Sequence, residues 1–261
     1  MRLILSSLCA SLVLAGCAAS KPAPSSPPKV SDLSPAASSP NETTTQTETT
    51  THESQQEPQS PLLPSAFFAD GADTFIAWRC TPAQDLISAF PENQLRLWSA
   101  QGHYELERAV VASGARYVKD DLSFWNKGDE ALVESDNGRL ECEQDMRRES
   151  LTRIDHPDAI FHAQGNEPGW TLTLDRRAPR LTLVTDYGER TLDLPYQVTE
   201  LTNGQQASMT LSSTQAAQSL KILLEARACF DDMSGKPFPV RVTLQLGDQL
   251  LRGCGQGIEA L

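Results

Sequence analysis

From residue 66 onward the apolar residues come in short runs that alternate with polar ones and stop at turn-forming residues. That pattern admits β-strands and leaves little room for long helices. In the first half the runs are Phe75–Trp78, Gln94–Trp98, Tyr104–Val111, Ala115–Val118, Leu122–Trp125, Ala131–Glu134 and Arg139–Cys142. Pro91-Glu92-Asn93, Gln101-Gly102, Ser113-Gly114, Lys119-Asp120-Asp121, Asn126 to Asp129 and Asp136-Asn137-Gly138 separate them. Only Pro82 to Phe90 is expected to hold a helical turn or two. Many short strands with close turns predict an all-β fold, here a small antiparallel barrel or sandwich. A second strand-rich stretch spans Ala159 to Arg252, with turns at Asn203-Gly204, Ser234-Gly235 and Gly247-Asp248, and predicts a meander in a second all-β domain.

What precedes residue 66 has a different composition. Arg2 is followed by a mostly apolar stretch, Leu3 to Leu14, too short to span a bilayer, and then by small residues. Leu14-Ala15-Gly16-Cys17 resembles a bacterial lipoprotein box. The resemblance implies a signal peptide over 1–16, removal of Cys9 with it, and lipidation of Cys17. With Ala18 next, it also implies sorting to the outer membrane, facing the periplasm. Residues 17–65 then read as a disordered tether. Nine of the chain's 17 prolines fall there, among Ser, Thr, Gln and Glu and without an aromatic residue. Such a segment cannot bury enough apolar surface to offset its ordering entropy. Its reach is on the order of 100 Å at most where proline holds it extended.

The polar stretch Arg153 to Asp158 divides the remainder into domains at 66–155 and 156–261. The first carries 10 basic and 17 acidic residues, the second 9 and 12. The chain's net charge of −12 argues against nucleic acid as a partner and suits a basic protein. Four cysteines remain after export: Cys80, Cys142, Cys229 and Cys254. An exported protein keeps disulfides, and four cysteines allow three pairings. The within-domain choice, Cys80–Cys142 and Cys229–Cys254, is the economical one. Zinc is disfavoured, because no C-x-x-C pair occurs and no His stands at ligand spacing from a Cys. No metal or cofactor is expected.

Ser113-Gly114-Ala115-Arg116-Tyr117 is followed by Trp125, Lys127-Gly128 and Glu130-Ala131, with Cys80 before and Cys142 after. Taken singly these residues are ordinary. Asn126-Lys127-Gly128-Asp129 is a good hairpin turn with a solvated lysine, and Trp125 and Tyr117 suit a core. Together, over roughly Trp78 to Cys142, they resemble the membrane-bound inhibitors of c-type lysozyme. The resemblance implies a single antiparallel barrel with two loops that enter the lysozyme cleft. The contacts would come from Ser113, Gly114, Tyr117, Lys127 and Gly128. The spacing of 14 between Ser113 and Lys127 agrees with the family. Val111 stands where the family often has a second serine, which removes an auxiliary contact.

In the second domain, Gly165-Asn166-Glu167-Pro168-Gly169-Trp170, Cys229-Phe230-Asp231-Asp232-Met233-Ser234-Gly235 and Gly253-Cys254-Gly255 resemble an uncharacterised envelope-lipoprotein domain. Glu167, Asp231 and Asp232 are the candidates for a cation or sugar site; against that stands a plain turn beside a disulfide-pinned loop, with Trp170 in the core. His156 and His162 lack an evident third ligand. No nucleophile elbow, phosphate loop or HExxH points to an enzyme. The expected function is therefore a lipid-anchored inhibitor whose partner is c-type lysozyme. The alternative is a structural or small-ligand binding module of the cell envelope.

Overall fold

The computed structural model describes residues 62–215 and 219–259. The expected signal peptide, the expected lipidation site Cys17 and most of the expected tether lie outside the described residues. Eight strands form the first body: β1 (Thr74–Thr81), β2 (Gln84–Ala89), β3 (Gln94–Trp98), β4 (His103–Ala109), β5 (Ala115–Lys119), β6 (Leu122–Lys127), β7 (Glu130–Ser135) and β8 (Gly138–Glu149). Each pairs antiparallel with the next, and β1 pairs with β8 to close a barrel. Closure leaves no open edge. Cys80 and Cys142 face each other across that closing seam and are disulfide-bonded.

Nine further strands form one curled sheet. They are β9 (Ala159–Asn166), β10 (Gly169–Asp175), β11 (Arg180–Thr185), β12 (Arg190–Pro195), β13 (Gln197–Thr202), β14 (Ser208–Ser213), β15 (Leu220–Phe230), β16 (Pro237–Leu246) and β17 (Gln249–Gly257). Two meanders, β9 to β12 and β13 to β17, meet where β17 pairs with β9. The free edges are β12 and β13, which Tyr196 alone separates in sequence. Two Cα steps span at most about 7.6 Å, so the sheet must bend until its edges approach.

The stretch 82–90 differs from expectation: it holds strand β2, paired on both sides, and no helical turn. Leu86 and Ser88 face the barrel interior, where the Ser88 hydroxyl accepts from the Trp78 indole at 2.7 Å. Ile87 and Ala89 face the other way, into the core shared with the sheet. A strand buried on both faces reads as a continuous apolar run and loses the alternation that marks a strand.

That shared core joins the two bodies. The barrel's interior is filled by Trp78, Leu95, Leu97, Leu106, Tyr117 and Phe124, with Trp78 and Phe124 edge to face at 5.5 Å. The outer faces of β1, β2 and β3 present Phe75, Ile87, Ala89 and Trp98 to the sheet's Phe161, Leu172, Val240 and their neighbours. Leu63 and the 66–72 segment fill the space between, with Phe67 6.0 Å from Phe161 and the Ala66 carbonyl accepting from the Trp98 indole at 2.9 Å.

Burial on this scale leaves two histidines neutral. Burial, then the charges of Arg96 and Lys119, push His103 down to about 3. Burial, then the stacked ring of His156, push His162 down to about 4. A free histidine titrates near 6.5. Below about pH 6.5 the unfolded chain therefore takes up protons that the fold refuses, and stability falls with pH by up to about 1.4 kcal/mol per unit for each histidine. Urea midpoints should drop clearly between pH 7 and pH 5; equal midpoints would mean the two rings are not held neutral.

Candidate functional site

In an eight-stranded up-and-down barrel alternate hairpins lie at the same end. The 90–93, 110–114 and 128–129 connections thus share one mouth of the barrel, and it is there that the predicted contact residues gather. Lys127 is the last residue of β6, opposite Glu130, so the turn proper is Gly128-Asp129. Gly128 takes the positive φ of 66° that a two-residue hairpin asks of its first loop position. Ser113, Gly114, Lys127 and Gly128 are all exposed.

Trp125 links the two loops. It lies two residues before Lys127 on β6, hence on the same outward face. Its indole N–H donates to the Ser113 carbonyl at 3.1 Å, and its ring lies 4.0 Å beneath the Lys127 ammonium. The sequence reading placed Trp125 in the core; it is instead half-buried on the barrel wall. Gly114 closes the same contact from the other side. At φ +71° it adopts a conformation that side chains avoid, and a Cβ there would meet the Asn126 carbonyl at 2.5 Å and Lys127 Cγ at 2.8 Å. The SGARY motif thus needs its glycine for close approach as well as for the turn.

Lys127 makes no ion pair among the described residues, although Glu130 and Glu143 stand in register beside it. Arg79 pairs with Asp145 at 2.8 Å and Arg139 with Glu141 at 3.0 Å on the adjoining wall. Tyr117 differs from its companions. It is 5% exposed, inside the barrel, with its ring 5.5 Å from Phe90. From there it can brace β5 under the Ser113 loop but offers little surface to a partner. Val111 is partly buried in the same loop, next to a fully exposed Val110.

Two of the sheet's three candidate carboxylates, Asp231 and Asp232, are spent internally. Asp231, 5% exposed, accepts from the Ser234 hydroxyl at 2.6 Å and amide at 2.8 Å, and from Asn166 at 2.9 Å and Gln164 at 3.3 Å. Burial alone would raise its pKa; these bonds outweigh it and hold the carboxyl at about 2. The Asn166 amide also reaches Asp232. Trp170 is buried against Gly165 and Gly253, where any Cβ would strike its indole, and Cys229 is bonded to Cys254. The three distinctive motifs therefore form one clasp. Glu167 is exposed and stays outside it. Among the described residues no group of three or more His, Cys, Asp or Glu is placed to hold a metal ion.

With this geometry in hand, the comparisons single out the barrel. Residues 78–141 match the family model described as membrane-bound lysozyme-inhibitor of c-type lysozyme. No curated protein matches the chain. The matched span holds Ser113, Gly114, Trp125, Lys127 and Gly128 and stops short of the second half of β8 and the whole of the nine-stranded sheet.

Proposed function

We propose that this protein inhibits c-type lysozyme by placing the Ser113 loop and Lys127 in the enzyme's catalytic cleft. The observation that carries the reading is the Lys127 ammonium, free of carboxylate partners among the described residues and held over Trp125 beside Ser113. It sits inside a segment similar to a lysozyme-inhibitor family. Lysozyme cleaves with two carboxyl groups that flank the scissile bond, one of them kept protonated as the acid. A lysine brought between them offers three donors and a full charge, which favours the ionised acid and removes its proton. The Ser113 hydroxyl can donate to the second carboxylate. The inhibitor needs no chemistry of its own.

The acidic surface adds long-range attraction to a basic enzyme. Inhibition of cell-wall lysis by the purified protein tests the reading. It should be strong at low ionic strength and weaken by roughly tenfold or more between 0.01 and 0.3 M salt, as the Debye length shrinks from about 30 Å. Normal lysis in the presence of excess folded protein would leave the envelope binding module as the better account.

Anchoring through Cys17 to the outer membrane, facing the periplasm, completes the proposal. Several acyl chains would hold the protein stably, since one alone is marginal. In cells, Cys17→Ser should move the protein from the outer-membrane fraction to a soluble one. A variant that stays with the membrane would remove the lipid anchor from the account.

A further inference from the structure

We propose that Trp125 is the positioning residue of the inhibitory mouth: its indole presents Ser113 and Lys127 as one preformed unit. The inference rests on the inhibitor reading above and concerns how that site is built. Two different parts of one side chain serve the two arms. The indole N–H fixes the Ser113 carbonyl at 3.1 Å, and the ring face receives the Lys127 ammonium at 4.0 Å. Among the described residues that N–H bond is the only hydrogen bond outside the strand ladders that ties the 110–114 loop to β6. Gly114 lets the loop close onto the same residues, since a Cβ there would also come within 3.1 Å of the Trp125 nitrogen.

The physical consequence is preorganisation. A lysine on a four-carbon stem and a short exposed loop both lose conformational freedom when a partner fixes them. Contacts that restrict them beforehand reduce that loss at binding. A cation–π contact suits this task, because it orders the ammonium without neutralising it, whereas an ion pair to Glu130 would compete with the partner's carboxylates. A tryptophan that only covered the barrel wall would need neither the N–H bond nor the stacked cation.

The test is a double-mutant comparison of lysozyme inhibition, with the melting temperature of every variant recorded. Trp125→Phe keeps a ring for Lys127 and removes the N–H donor to Ser113. It should raise the inhibition constant roughly tenfold, and much less than that in a Ser113→Ala background, where the presented hydroxyl is already gone. With Lys127→Met its effect should remain additive. Gly114→Ala provides a second route: it displaces the loop without altering the indole and should show the same loss of additivity with Ser113→Ala. Trp125→Phe inhibiting like the parent, or both variants weakening it equally in either background, would overturn the positioning role while leaving the inhibitor reading intact. A parent protein that does not inhibit would overturn both.

Discussion

Lys127→Met is expected to weaken lysozyme inhibition on the order of a hundredfold or more while leaving the barrel folded. Losing one partner of a desolvated charge pair costs about 2–5 kcal/mol, and each 1.4 kcal/mol is about tenfold in affinity. Methionine keeps most of the stem that carries the ammonium over Trp125 and deletes only the charge and its donors, so it separates electrostatics from shape. Ser113→Ala removes a single neutral donor and should cost less, roughly ten- to a hundredfold. Neither change touches the core: both side chains are exposed, and Lys127 has no ion pair among the described residues to lose. Unfolding midpoints within about 0.5 kcal/mol of the parent should accompany the loss. Full inhibition by Lys127→Met would move the inhibitory contact elsewhere on the barrel.

Much of this architecture could be read from residue patterns, and the exceptions share a cause. Strands with one wet face, such as Trp170–Leu174 of β10, alternate and announce themselves. Strand β2, buried on both faces, does not alternate and passed for a helical turn. The end of β8 fails in the opposite way. Glu143 to Glu149 is almost wholly polar, with only Arg148 buried, so the strand looked as if it stopped at Cys142. The barrel–sheet contact was hidden for the same reason, because its residues lie on the second face of β1, β2 and β3. At the mouth, Ser113, Gly114, Lys127 and Gly128 were legible through their motif. Trp125 departs from expectation because tryptophan usually signals burial, and nothing in its spacing tells that its N–H finds the Ser113 carbonyl. A usable signal was its place two residues before Lys127, which puts both on one face of a strand.

The second large effect is expected at Arg148, where the barrel meets the sheet. This arginine is 8% exposed, and burial pushes its guanidinium down to about 9, so it stays charged at neutral pH. Among the described residues it has no carboxylate partner. Its Nε donates to the Pro237 carbonyl at 2.6 Å and its Nη1 to the Glu149 carbonyl at 2.9 Å. The guanidinium lies 4.0 Å from the Phe238 ring and 4.9 Å from that of Phe75. Arg148→Ala would strand the Pro237 carbonyl, remove both ring contacts and leave a void, for about 3–4 kcal/mol in total. Arg148→Lys should fare little better, because a point charge cannot fill a planar slot between two rings. Arg148→Met should cost least, since it fills the space and spares the burial of a charge. Because Phe75, Ile87 and Trp98 belong to the same core as Phe161 and Val240, barrel and sheet should unfold in one transition in every variant. Two separate transitions, or an Arg148→Ala loss below about 1 kcal/mol, would contradict a shared core. The lysozyme-inhibitor match ends at residue 141, before the part of β8 that carries Arg148. The outer faces of β1, β2 and β3 are covered by the nine-stranded sheet, which gives that sheet a structural task even where its motifs form only a clasp.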